Sequence, residues 1–399
     1  MSELSAPYLR HSLSERVGEF IALRREIHAH PELAFQEHRT AALVARKLTD
    51  WGYEVATGLG GTGVVGTLRR GRGSRRLGIR ADMDALPITE ATGHAWSSQT
   101  PGVMHACGHD GHTATLLAAA RHLAEHGDFD GTLHLIFQPA EEGAAGAVRM
   151  MDDGLFERFP CDTLFALHNM PGSPTGHFTF RAGATMASSD NVTITLQGIG
   201  GHGAMPHTTA DPLVAASSIV MALQTVVSRN VDPLQTAVVT VGALQAGQAN
   251  NVIPDQATLK LSVRALDPEV RSLLKQRIHE LVTQQAASYR VRAAIDWQDG
   301  YAVLINDSAC TTLAVELATR LFGAERVTPN GAPITASEDF AFMLQRVPGC
   351  YFFVGNGATG TPGACMVHNP GYDFNDDIIA DGAAFWSALV HEVLAPANG

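Results

Sequence analysis

Apolar side chains recur at helical spacing from residue 14 to 50, and the pattern breaks at His30 and Pro31, since the residue before a proline is pushed out of the α region. Two helices are predicted there. Short apolar runs then alternate with helical stretches: strands over 63–68 and 77–81, a helix over 111–125, strands over 132–137 and 163–167. Such alternation predicts a layered α/β sheet. Near residue 185 the order changes to strand (191–197), helix (212–228), two strands (237–244 and 257–263), helix (268–287) and strand (291–297). That β-α-β-β-α-β order is the split ferredoxin-like unit. A helix over 308–321, a strand over 350–354 and a helix over 376–391 resume the first pattern. The predicted fold is therefore two-domain α/β. A larger α/β/α domain is built from 1–185 and 299–399, with a smaller α+β domain inserted at 186–298. A chain of 399 residues, 45% hydrophobic, is also more than one core usually serves.

Charge removes some partners from consideration. The 28 basic residues face 40 acidic ones, giving a net charge of -12, and no Lys or Arg run could track a phosphate backbone, so nucleic acid is not an expected partner. No apolar run approaches the roughly 18 residues that span a bilayer. The polar N-terminal stretch lacks the apolar core of a secretory signal, so no membrane is expected and the expected location is cytoplasmic. The five cysteines (Cys107, Cys161, Cys310, Cys350, Cys365) show no CxxC spacing, and disulfides are not expected.

The chemistry concentrates in a few segments. Residues 105–112, HACGHDGH, put three imidazoles and a thiol just ahead of a predicted helix, and thiolate and imidazole are preferred ligands of zinc and similar ions. A buried structural Cys beside surface histidines, or a cysteine nucleophile activated by a histidine, are the competing readings of the same residues. Glu141 and Glu142 follow directly on the strand ending at residue 137. Adjacent carboxylates point different ways, so one can hold a metal while its neighbour serves as general base; a solvated acidic turn is the bland alternative. His168 follows another apolar run, and His368 opens a late His-Asn-Pro-Gly segment; each alone reads as an ordinary core or loop histidine. Together Cys107, His109, Glu142, His168 and His368 make enough ligands for two ions, a pairing suited to amide hydrolysis.

These segments resemble a known family. RREIHAHPELAFQE (24–37), RADMDALPI (80–88), MHACGHDGH (104–112), QPAEEG (138–143), LHNMP (167–171), GGHGAMPH (200–207), NNVIPD (250–255), SEDFAFM (337–343) and HNPGYDFND (368–376) occur in the order seen in the metallo-amidohydrolases. That family includes hippurate hydrolases, N-acyl-amino-acid amidohydrolases and auxin-conjugate hydrolases. The resemblance implies a zinc-peptidase-like catalytic domain with a lid and dimerisation insert. It also implies two divalent ions (Zn, Mn, Co or Ni) on Cys107, His109, Glu142, His168 and His368, with Glu141 as acid/base. His202 would stabilise the oxyanion, and Asn251 and Arg264 would bind the substrate carbonyl or carboxylate. Asp84 is placed behind a ligand histidine, with a buried capping Asp as the equal alternative. Related branches carry a His-x-Asp motif where this chain has Asp82-Met83-Asp84, so that histidine is absent and Cys107 replaces it. The implied reaction is hydrolysis of a small N-acyl amino acid by a dimer or tetramer. Small peptides are the alternative substrate.

Overall fold

The computed structural model describes residues 6–395, and the chain divides into two compact units. Along the chain the main elements are α1 (Ala6–Ala29), α2 (His38–Asp50), β1 (Glu54–Leu59), β2 (Gly63–Arg70), β3 (Arg76–Asp82), α3 (His109–His126), β4 (Gly131–Gln138), β5 (Thr163–Gly172) and β6 (Phe178–Thr179). There follow β7 (Asp190–Gln197), β8 (Gly201–His202), α4 (Pro212–Asn230), β9 (Ala237–Ala246), β10 (Val252–Ile253), β11 (Gln256–Ala265), α5 (Pro268–Ser288) and β12 (Arg292–Asp299). The chain closes with α6 (Ser308–Phe322), β13 (Val327–Thr328), β14 (Gly349–Ala358) and α7 (Ile378–Val393).

The larger unit holds one eight-stranded sheet in the order β1-β2-β4-β3-β5-β14-β6-β13. Its central strands β4, β3, β5 and β14 are parallel, and Asp82 pairs with Gln138 in register, so β3 and β4 end at the same edge. Leu133, Leu135, Ile136 and Phe137 of β4 are all fully buried, the continuous apolar run expected of a strand covered on both faces. The Ala-rich α3 is buried along most of its length and packs on α1, α7 and β3. Two details depart from the sequence expectation. β1 has a mostly exposed side-chain pattern and pairs only with β2 at the sheet edge, so no apolar run marked it. β5 continues to Gly172 because its ladder with β14 continues, which puts His168 inside the strand, opposite Phe353.

The smaller unit is a four-stranded antiparallel sheet, β9-β11-β7-β12, with α4 and α5 packed on it. Ile194, Ile219, Leu223, Leu259, Leu274 and Ile278 form its fully buried centre. Asp211 and Asp267 cap the two helices by accepting backbone N–H bonds, each followed by a proline in the first turn. This unit comprises Ala184–Ile305 and also Pro333–Ala341, where the sequence pattern outlined 186–298. The second piece is held by tertiary bonds such as Ala187 N to the Ile334 carbonyl at 3.1 Å, which leave no periodic trace. Among the described residues one helix, α4, is long and apolar enough to cross a membrane, by length and composition only. Ala215, Ala216, Ile219, Leu223 and Val226 nevertheless bury one of its faces against the core of its own unit.

Candidate metal centre

The turn before α3 aims two side chains at one point. Gly108, between Cys107 and His109, has φ 97°, and a Cβ there would sit 2.1 Å from Asn169 Oδ1, so only glycine fits. His109 is fully buried and its Nδ1 lies 3.0 Å from Asp84 Oδ1. The other Asp84 oxygen accepts the Glu142 backbone N–H at 2.9 Å, so one carboxylate sets both a histidine ring and the acidic loop. His168 Nδ1 donates to the Asn169 carbonyl at 2.7 Å and leaves its Nε2 lone pair 3.2 Å from Cys107 Sγ. His368, itself at φ 65°, donates its backbone N–H to the Ala106 carbonyl at 2.7 Å and places Nε2 3.2 Å from Glu142 Oε1.

The result is two sets of three donors with one member in common. The ligand atoms of Cys107, His109 and His168 lie within 4.8 Å of one another, and so do those of Cys107, Glu142 and His368. A third group joins His109, Glu141 and Glu142. His109 Nε2 is buried without a hydrogen-bond partner, which costs free energy unless something coordinates it. Sulfur, imidazole nitrogen and carboxylate oxygen around one point form a donor set for divalent transition metals, so these residues fit a metal pair.

The electrostatics agree. Burial opposes charge on His109, yet the Asp82 and Asp84 carboxylates raise its pKa to about 10, the mark of a locality with excess negative charge, where a bound cation would take the place of the ring proton. Burial, with His112 beside it, holds His168 well below its ordinary value and so neutral, as a ligand must be. Burial pushes the Cys107 thiol well above its ordinary value, and Glu142, Glu141 and Asp82 push it further. A thiol among carboxylates keeps its proton until a cation arrives, which is the opposite of an activated nucleophile.

Asp82, His109 and His112 converge as well. There, however, His112 Nδ1 and Asp82 Oδ1 are 2.6 Å apart, Arg80 takes the other Asp82 oxygen at 2.7 Å, and His112 Nε2 accepts the Asn169 N–H at 3.1 Å. Asp82 and His112 spend their donor atoms on neighbours, so the sets built on Cys107 are the better metal site. Sequence reading missed this supporting layer of Arg80, His112, Asn169 and Tyr372, whose hydroxyl accepts from Asn169 Nδ2 at 2.7 Å. It also missed Arg24. Fully buried, Arg24 bonds Asp373 and the Phe374 carbonyl beyond His368 and lies 3.5 Å from Asp110 beside His109. Only their place in the quoted motifs hinted at such roles.

His202, Asn251 and Arg264 lie in the smaller unit. His202 is exposed on β8, opposite Val252, and its Nδ1 accepts the Ala204 N–H at 3.0 Å, which leaves the ring proton on Nε2. Asn251 is its neighbour, accepting the Gly203 N–H at 2.8 Å through its carbonyl. Arg264 sits at the far end of β11, opposite Val238, and donates to the Thr335 carbonyl at 2.9 Å. In the SEDF segment Glu338 accepts the Phe340 N–H at 3.0 Å, as a residue at a helix start does.

Comparison with known proteins places these observations. The model of Peptidase family M20/M25/M40 matches residues 78–392. A hippurate hydrolase of Campylobacter jejuni is 45% identical over 94% of this chain and 97% of its own length. An N-acetyl-L-cysteine deacetylase of Bacillus subtilis is 38% identical over 94% of this chain and 88% of its own. Among solved structures, a Bacillus subtilis protein described as a dinuclear metal binding peptidase from M20 family superposes with TM-score 0.82 at 32% identity, covering 95% of this chain and 98% of that one.

Proposed function

The chain belongs to peptidase family M20/M25/M40, and from that membership we propose that it hydrolyses the amide bond of small N-acyl amino acids to a carboxylic acid and a free amino acid. Two divalent ions would be held by Cys107, His109, Glu142, His168 and His368, whose ligand atoms fall into two sets with Cys107 in common. The observation that carries this reading is the pair of donor sets sharing Cys107, in a chain similar to proteins named for cleaving acylated amino acids. Zinc, manganese, cobalt and nickel all suit these donors.

When bound, the ions supply Lewis acidity that acidifies water and polarises the acyl carbonyl. Glu141, nearly buried and close to the ligand carboxylate Glu142, accepts the proton of the attacking water and delivers it to the departing amine. Asp84 fixes the His109 ring and, through the Glu142 amide, the loop that carries Glu141. The Nε2–H of His202 is the kind of donor that stabilises a developing oxyanion, and Asn251 and Arg264 are assigned to the substrate carbonyl and carboxylate. A cysteine-nucleophile mechanism fits poorly, because the Cys107 thiol is held protonated.

Release of free amino acid from benzoyl-, acetyl- and indole-acetyl-amino acids, alongside dipeptides, tests the reading. Metal-loaded protein is expected to release amino acid from the acyl compounds and to stop when a chelator is added. Release from dipeptides alone would move the enzyme to the peptidases, and release that survives chelation would remove the metals from the mechanism.

The smaller unit also supports a homodimer. Leu213, Val214 and Met221 of α4 are 40%, 47% and 72% exposed, and the long β9 is a sheet edge with an unpaired side. A second copy would cover both by a two-fold contact. Met221→Glu is expected to shift micromolar protein to monomer in sedimentation with its fold intact; an unchanged profile would refute this contact. All five cysteines are free, which suits the reducing cytoplasm.

A further inference from the structure

The segment 24–37 is the longest motif that the reaction leaves unused, and its last residue, Glu37, is fully buried. One Glu37 oxygen accepts two backbone N–H bonds, from Phe35 at 3.0 Å and from Ala140 at 2.9 Å. The other oxygen accepts the buried Thr62 hydroxyl at 2.5 Å. Both amide donors are left-handed residues that are not glycine: Phe35 has φ 61° and Ala140 φ 55°. L-residues seldom adopt that conformation, and persist in it where the surroundings impose it.

Ala140 lies between the end of β4 and Glu141. Its carbonyl accepts the Gly146 N–H at 2.9 Å, which closes the loop, while Glu142 N is bound by Asp84 at 2.9 Å. Glu141 therefore stands between two amides, each gripped by a different buried carboxylate. Asp84, which also holds the His109 ring, grips the Glu142 amide, and Glu37 grips that of Ala140.

We propose that Glu37 is a positioning residue: it locks Ala140 in the left-handed conformation that aims Glu141 at the attacking water and Glu142 at the metal. The inference rests on the amidohydrolase reading above. Glu37 itself touches no ligand atom in its hydrogen bonding. Its role is geometric rather than electrostatic, since a Gln side chain can accept the same two N–H bonds with its oxygen and give an N–H to Thr62 Oγ1.

Three variants of the full-length, metal-loaded enzyme test this. In Glu37→Ala kcat is expected to fall about 10–100-fold with KM within about threefold, because the aim of Glu141 and Glu142 changes and no substrate contact is removed. Glu37→Gln is expected to keep kcat within about threefold of wild type, since all three hydrogen bonds survive. Adding Ala140→Gly to Glu37→Ala is expected to recover about tenfold in kcat, because glycine adopts positive φ without a clamp. A merely structural role for Glu37 would not be rescued by removing one methyl group from residue 140. The proposal is overturned by wild-type kcat in Glu37→Ala, by a Glu37→Gln enzyme as slow as a base-less one, or by no gain in the double variant. Glu37→Gln decides the matter even if Glu37→Ala does not fold. Should Glu141→Gln prove active, the amidohydrolase mechanism fails first, and that outcome is read separately from these.

Discussion

Glu141→Gln is expected to lower the rate of amide hydrolysis by about 10²–10⁴-fold, the range that general acid–base catalysis supplies, with both metal ions still bound. The two side chains are nearly isosteric, so the loop keeps its shape and only the capacity to take a proton is lost. The geometry separates Glu141 from its neighbour. Among the described residues Glu142 falls in a donor set with Cys107 and His368, whereas Glu141 shares a set with His109 and Glu142 and none with Cys107. Glu142→Gln should therefore weaken metal binding, and Glu141→Gln should not. Amino acid release measured beside metal content by elemental analysis checks both, and a Glu141→Gln enzyme within tenfold of wild type would refute the assignment.

Cys107→Ser has the second largest expected effect. Cys107 is the one side chain common to both donor sets, so its replacement by a hydroxyl that stays protonated weakens both ions together. His168→Ala and His368→Ala should each weaken only one. The loss of affinity in Cys107→Ser should exceed the roughly 10–100-fold that follows removal of a group behind a ligand. Activity should return in part as metal is raised. Competition against a chromophoric chelator measures the affinities. An inactive Cys107→Ser protein that still holds two ions tightly would instead favour the thiol as nucleophile.

The larger features were legible in sequence because they depend on local pattern. The change from a parallel-sheet rhythm to β-α-β-β-α-β order rests on periodicities of 2 and 3.6, and β7 through β12 appear in that order. Cys107, His109, Glu141 and Glu142 stood out because they cluster where a strand ends or a helix begins. His168 was legible by its residue type but not by its setting, since only the ladder with β14 shows that the strand runs past it. The edge strand β1 and the return of 333–341 to the smaller unit depend on tertiary partners. Glu37 shows the limit most clearly. In sequence it is an acidic residue before a helix, and its function lies in a bond to Ala140, 103 positions away. The Arg24 bonds to Asp373 and Phe374 span 349 and 350 positions.

Two ions that would share Cys107 are central to the proposed reaction, and a metal titration of stripped protein tests them directly. The protein is first dialysed against chelator, then titrated with manganese or zinc while bound metal and release of amino acid from a benzoyl-amino acid are followed together. Two ions per chain, with activity absent in the stripped protein and restored as the sites fill, is the predicted result. Full activity before any metal is added, or saturation with no ion bound at Cys107, would contradict it.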